Sequence, residues 1–411
     1  MFQVTKYRAA LMTVAFGAVS VTLFLIVSSY TGRLVENGGR GWDGVAYLDM
    51  LRERLVAQAS NERLRPLIVA FNRPLYWLSD RSMAGAIDAF VSMNVVYMAW
   101  LSVAAVLLAS AYGASIGAQL FAAVNLALCI ATSKYFAYYP TLVDLGAYAV
   151  IMTAMHAAVR RAPVPAAILA VMAALSREFG LAVALFGMHR ELRLSHRPLR
   201  AIAIYAPAVV ASFGLRYVVS RYPGFGLLKP SNFVDNLQLW TDQEYIAFFV
   251  YFCVTVFGGI SMLVAARPAQ CARFLHREPE WITFAAPILA MAGVGSFDLW
   301  RYLAYVLPLA VVLLAACDRE WTNRRRAWMF SIGTIATILT QHPFERIDSA
   351  TYFTHWFPYY VIPSAQPDEL ERLWLYWGRM MMMTVAAIWL MAAPETPRPL
   401  ERAQSTMKAM T

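Results

Sequence analysis

Runs of about twenty apolar residues recur along this chain, and they confine it to few architectures. A helix needs roughly 20 such residues to cross the hydrocarbon core of a bilayer, where lipid offers no partner to an unpaired backbone amide. Ten segments fit the pattern: 9–29, 83–110, 115–133, 140–159, 199–219, 244–266, 281–297, 300–317, 326–341 and 371–393. Apolar residues make up 60% of the 411 and charged ones 15%, against about 25% charged in an ordinary soluble domain. The expectation is an all-α polytopic membrane protein, one transmembrane domain over 1–393 followed by a disordered tail from 394 to 411. The run after Lys6 and Arg8 is too long for a signal-peptide core and lacks a small-residue cleavage site, so it reads as a retained span.

An eleventh apolar stretch, 164–188, has basic residues on both sides: Arg160 and Arg161 before it, Arg190, Arg193, Arg197 and Arg200 after. A single crossing would send one cluster outward, against the tendency of basic loops to stay in the cytoplasm. The pattern predicts a re-entrant hairpin of two half-membrane helices, with Ser176-Arg177-Glu178 at its apex. Both termini are then cytoplasmic, and cytoplasmic segments hold 18 of the 35 Lys and Arg residues. The net charge of +10 thus follows from membrane topology and requires no nucleic acid. The outer face of a plasma membrane receives the segments 30–82, 220–243 and 342–370. Residues 50–65 suit a short helix lying on the membrane surface.

Most polar residues of chemical interest fall on that outer side. Asp43 lies in Gly41-Trp42-Asp43-Gly44, where the glycines let the backbone turn sharply beside a ligand. Trp42 and Tyr47 suit either the headgroup layer or stacking on a sugar ring. An aspartate there is a candidate general base, or simply the cap of a helix beginning at Gly44. Arg177 and Glu178, at membrane depth, each cost at least ~2.5 kcal/mol unless they face a cavity, a partner or a ligand. Arg301 suits a phosphate, being planar and always charged, though an arginine at a span's outer end also snorkels.

Lys134 and Asp144 flank an aromatic turn, Tyr135 to Tyr139, and Asp144 is expected to pair with Lys134 or another base. Arg73, in Asn72-Arg73-Pro74, is a further donor-site candidate. His342, Glu345 and His355 are acceptor-site candidates in a loop that also reads as an ordinary amphipathic segment. The histidine spacing suits no zinc site, and Cys129, Cys253, Cys271 and Cys317 form no CxxC pair. A divalent cation held by carboxylate and phosphate oxygens is compatible with the acids present, but no spacing calls for one. No cofactor is assigned.

Several short motifs, taken in order over residues 30–310, resemble the GT-C superfamily of integral-membrane glycosyltransferases, which use polyprenyl-phosphate sugars. They include the protein O-mannosyltransferases and the lipid A aminoarabinose transferases. The motifs are Gly41-Trp42-Asp43-Gly44 with Tyr47, Arg73-Pro74-Leu75, Tyr139-Pro140 with Asp144, Leu175-Ser176-Arg177-Glu178, and Asp298 with Arg301-Tyr302 and Pro308. The resemblance implies Asp43 as catalytic base, surface helices in the first outer loop, and Arg177 and Arg301 on the lipid phosphate. The chain departs from the family in lacking a second acid paired with Asp43 and a large C-terminal soluble domain. The expected activity is sugar transfer from a polyprenyl-phosphate donor to an envelope glycan, glycolipid or protein acceptor. The alternatives are a transporter or flippase of lipid-linked sugars, which would carry polar residues through mid-membrane, and a non-catalytic scaffold.

Overall fold

The computed structural model describes residues 2–53, 64–221, 256–294 and 299–346, with isolated positions at 237, 239–241, 246, 378, 381–385 and 388. The described regular structure is helical. In chain order the helices used below are α1 (Phe2–Ser29), α2 (Asp43–Arg52), α3 (Pro66–Leu78), α4 (Met83–Ala111), α5 (Ile116–Leu128), α6 (Lys134–Tyr138), α7 (Asp144–Val159) and α8 (Pro163–Ser176). They continue with α9 (Leu181–Ser195), α10 (Pro198–Ser220), α11 (Gly259–Ala265), α12 (Pro268–Arg277), α13 (Glu280–Val294), α14 (Leu299–Leu303), α15 (Leu307–Asp318) and α16 (Asn323–Gln341).

Their starts are written in the sequence. Gly85 N donates to Ser82 Oγ at 3.0 Å, Ala118 N to Ser115 Oγ at 3.2 Å and Arg325 N to Thr322 Oγ1 at 3.4 Å, each satisfying an amide that the helix cannot. Pro66, Pro163, Pro198 and Pro268 open four others, where a missing amide is harmless and the fixed φ already suits a helix.

Four stretches are long and apolar enough to cross a membrane: 10–29, 83–111, 198–220 and 301–318. The chain is a helical membrane protein, but several of the ten expected spans are shorter than their apolar runs. Within 115–133, the 13-residue α5 stops at Leu128, about 20 Å of helix at 1.5 Å per residue. The run continues as a buried turn in which Thr132 and Ser133 are also buried, and Lys134, buried as well, opens α6. Periodicity cannot distinguish a buried turn from a buried helix when both are apolar. Similarly, α7 begins at Asp144 rather than at 140, after the turn that ends at Val143. The expected span 244–266 does not hold where it is described: 256–258 form a turn, Gly258 has φ +51°, and the helix covers only Gly259–Ala265. The expected span 371–393, the loop from 347 to 370 and the tail from Pro394 lie wholly or largely outside the described residues. So do 54–63, most of the expected surface helix; its described beginning is the end of α2.

The core is built on α4 and α7 packed side by side, with α1 and α5 against α4, α8 against α7, and α10 against both α8 and α9. Buried amides of side chains hold the irregular turns. Asn125 donates to Phe257 O at 2.7 Å, and its Oδ1 accepts from Gly259 N at 3.1 Å and Thr337 Oγ1 at 2.6 Å. Asn94 similarly donates to Pro140 O at 2.9 Å. These contacts replace water for backbone that would otherwise be unsatisfied within an apolar bundle.

The helices α8 and α9 double back on each other. Arg177 is extended, at φ −162° and ψ 152°, and a 3-10 turn at Glu178–Gly180 leads into α9. Away from that turn the two helices meet again, with Arg161 Nη2 3.3 Å from Glu191 Oε1, and Arg200 of α10 brings its Nε to 2.9 Å from the same oxygen. The turn depends on Gly180, where a Cβ would lie 1.9 Å from Ala173 O. That neighbour is backbone and cannot rotate away. Gly180→Ala is expected to destabilise the protein by about 1–3 kcal/mol, the usual cost of forced overpacking, read as a lowered Tm of the purified protein in detergent.

Candidate functional site

Five elements bring charge to one place. Asp43 opens α2, Arg65 immediately precedes α3, Asp144 opens α7, Arg177 and Glu178 form the break between α8 and α9, and Arg301 lies in α14. Arg301 bridges two acids: its Nη2 is 3.1 Å from Asp43 Oδ2 and its Nε 3.2 Å from Asp144 Oδ2. Arg177 Nε lies 3.1 Å from Asp144 Oδ1 and 3.7 Å from Glu178 Oε2. Arg65 closes the chain, with Nη2 3.1 Å from Glu178 Oε1 and Nη1 donating to Tyr47 Oη at 2.6 Å.

Asp144 and Arg177 are fully buried. Both arginine contacts to Asp144 are ion pairs by distance, but neither guanidinium Nε–H is aimed well enough to count as a hydrogen bond. The directed bond to Asp144 comes instead from Tyr305, whose hydroxyl donates to Oδ1 at 2.5 Å. Tyr148 fixes the α14 backbone by donating to Arg301 O at 3.0 Å. The Arg177 guanidinium carbon lies 5.8 Å from the centre of the Tyr302 ring, a cation–π distance. Its Nη1 and Nη2 have no hydrogen-bond partner among the described residues.

Asp43 is the accessible end of this arrangement, its side chain 32% exposed where that of Arg301 is 3% exposed. The backbone around it is docked rather than loose. Gly44 N donates to Tyr139 Oη at 3.1 Å, and Thr141 Oγ1 donates to Arg40 O at 2.9 Å. Gly41 has φ +69°, and a Cβ there would sit 2.2 Å from the Tyr139 ring. A Cβ on Gly44 would sit 2.0 Å from Thr141 Oγ1. The alternative reading of Asp43 as a helix cap does not hold: α2 starts at Asp43 itself, Trp42 occupies the cap position, and no side-chain cap bond forms.

Electrostatics follow burial. Burial alone would lower the Arg65 guanidinium, but the Glu178 carboxylate and the Tyr47 and Tyr302 side chains together outweigh it and hold the group well above its usual range. Burial also pushes the Tyr47 hydroxyl well up, so it stays protonated while accepting from Arg65. The Tyr139 hydroxyl is raised by burial and by the nearby Asp43 charge.

Not every expected residue joins the network. Lys134 does not pair with Asp144. Its Nζ donates to His342 O at 2.6 Å and Glu345 O at 2.8 Å, binding carbonyls just beyond the end of α16. Arg73 Nη2 donates to Met50 O at 3.3 Å and Glu53 O at 2.8 Å, capping α2. Trp42 is half exposed and packs edge-on to Tyr139, with ring centres 6.1 Å apart. His342 ends α16 in a left-handed conformation, and its Nδ1 lies 3.9 Å from Glu345 Oε2. His355 and Asp298 are outside the described residues. Among those residues no three His, Cys, Asp or Glu side chains are grouped to hold a metal.

Arg65 and Tyr305 were not selected from the sequence. Arg65 has the same Arg-Pro setting as Arg73, and Tyr305 stands four residues after Arg301, a spacing that brings helical side chains to one face. The chain matches no protein-family model and no curated protein.

Two measurements probe the electrostatics. Asp144→Asn would leave Arg177 and Arg301 without their shared buried counter-charge, and a loss of about 3–5 kcal/mol is expected, seen as a large fall in Tm. Burial also pushes the Lys134 ammonium down to about 8, with Glu345 opposing. An unfolded lysine titrates near ~10.4, so the unfolded chain binds more protons between these values. Stability should therefore rise as pH climbs from about 8 to about 10.4, and Lys134→Met should flatten that rise in a pH series of thermal melts.

Proposed function

We propose that this protein is a GT-C-like membrane glycosyltransferase that moves a sugar from a polyprenyl-phosphate donor to an acceptor on the outer face of a plasma membrane. The observation that carries the reading is the joining of an accessible carboxylate, Asp43, to a buried arginine chain through Arg301. Sugar transfer of this kind needs a base at the surface and fixed positive charge just behind it. The reading makes α8 and α9 a re-entrant hairpin with Arg177 and Glu178 at its apex, facing the same side as Asp43.

In the proposed reaction the acceptor O–H gives its proton to the Asp43 carboxylate as its oxygen attacks the anomeric carbon. The bond from that carbon to the phosphate oxygen breaks, and the polyprenyl phosphate leaves with the electron pair. The charge growing on that oxygen is met by arginines placed before the reaction starts, so little reorganisation is required. Arg301 can reach the phosphate by exchanging its Asp43 contact for it. Nη1 and Nη2 of Arg177, which have no hydrogen-bond partner among the described residues, are the donors a phosphate oxygen would relieve. One direct displacement inverts the anomeric centre.

The test is transfer of radiolabelled sugar from a panel of polyprenyl-phosphate donors to a crude envelope-lipid acceptor, comparing wild type with Asp43→Asn. Loss of a general base is expected to lower the rate by about 10²–10⁴, with donor binding kept. Equal rates in both proteins would remove Asp43 from the mechanism. Movement of lipid-linked sugar across a sealed bilayer without transfer would favour a flippase.

A further inference from the structure

The end of the bundle away from Asp43 is also built, and nothing in the proposed transfer uses it. Asp144, in the charge network, opens the 16-residue α7, and Arg160 follows its other end, about 24 Å along the axis at 1.5 Å per residue. There α4, α7, α9, α12 and α15 surround a cavity of about 530 Å³. Five arginines line it: Arg160, Arg190, Arg273, Arg277 and Arg319. Glu278 and Glu320 are its acids, leaving three positive charges in excess.

Both acids are already engaged. Glu278 Oε2 binds Arg190 Nη1 and lies 3.5 Å from Arg193 Nη2. Glu320 Oε1 lies 3.5 Å from Arg273 Nη2. Arg319 donates to the Tyr112 carbonyl just beyond α4. The Arg160 and Arg277 side chains form no ion pair or hydrogen bond among the described residues, although both line the cavity. Like charges collected in a concave site concentrate a positive potential that favours an anion. Planar guanidinium forks match the oxygens of a phosphate better than they match a halide or a single carboxylate. Val159 and Phe274 add apolar wall, which suits a phosphate carried on a larger body.

We infer that this cavity binds a phosphate-bearing anion, either the headgroup of an acidic phospholipid or a soluble phosphate ester. The inference is independent of the transferase reading, because it rests on a different set of residues at the other end of the helices. If basic loops are cytoplasmic here as elsewhere, the ligand comes from the cytoplasmic leaflet or the cytosol.

The test uses the full-length protein in nanodiscs, with melting temperature as the readout at constant ionic strength. Inorganic pyrophosphate is titrated in discs of phosphatidylcholine alone, and phosphatidylglycerol is titrated into the disc lipid in a second series. Wild type is compared with Arg160→Gln/Arg277→Gln and with the charge-keeping Arg160→Lys/Arg277→Lys. A saturable stabilisation is expected in wild type, with apparent affinity about twenty-five-fold weaker in the glutamine variant at roughly fivefold per basic residue. The lysine variant should retain most of the binding, which separates lost charge from lost fold. Response to pyrophosphate identifies a soluble phosphate ester, and response to phosphatidylglycerol alone identifies a lipid headgroup. Identical curves for wild type and the glutamine variant with both probes would overturn the inference.

Discussion

The arrangement depends on one carboxylate, Asp144, fully buried between two arginines. In an apolar bundle an isolated ion of either sign is too costly to keep, so Asp144, Arg177 and Arg301 stabilise one another or not at all. Each comes from a separate part of the chain: the start of α7, the break after α8, and α14. Their mutual need fixes the relative heights of those helices. Hydrophobic burial alone is less specific, because it is non-directional and scales with area rather than with register.

From that constraint the rest follows outward. The extended conformation of Arg177 delivers its side chain towards Asp144 and leaves Glu178 to meet Arg65. Arg65 then draws the start of α3, and through Tyr47 the middle of α2, against the hairpin. Nη2 of Arg301 takes Asp43. The loop carrying Asp43 is separately anchored by Gly41 and Gly44, which lie against Tyr139 and Thr141 so closely that no side chain fits. Two independent devices therefore set the position of one carboxylate.

Much of this was legible in the sequence, for reasons that are physical. Ionisable residues in an apolar run are rare enough that each invites a partner, and Arg177, Glu178, Asp144 and Arg301 were all visible on that ground. The break at Ser176-Arg177-Glu178 was legible from the basic residues on either side of it. What the sequence hid was the pairing. Lys134 and Arg73 carry the same charge as Arg177 and Arg65, yet satisfy helix-end carbonyls instead, a choice decided by three-dimensional position alone. Span lengths were hidden as well, because the turn after α5 opens with Cys129-Ile130-Ala131, as apolar as the helix before it.

Among the described residues the ion pairs join three arginines, Arg65, Arg177 and Arg301, to three carboxylates, Asp43, Asp144 and Glu178. A guest that arrives with a negative charge therefore meets no empty positive site and has to compete with a carboxylate for its guanidinium. Asp43, the accessible acid, sits at the end of the chain of ion pairs and is the carboxylate most easily displaced. The arginine a guest reaches at least cost is thus Arg301, and the same exchange leaves Asp43 facing the guest.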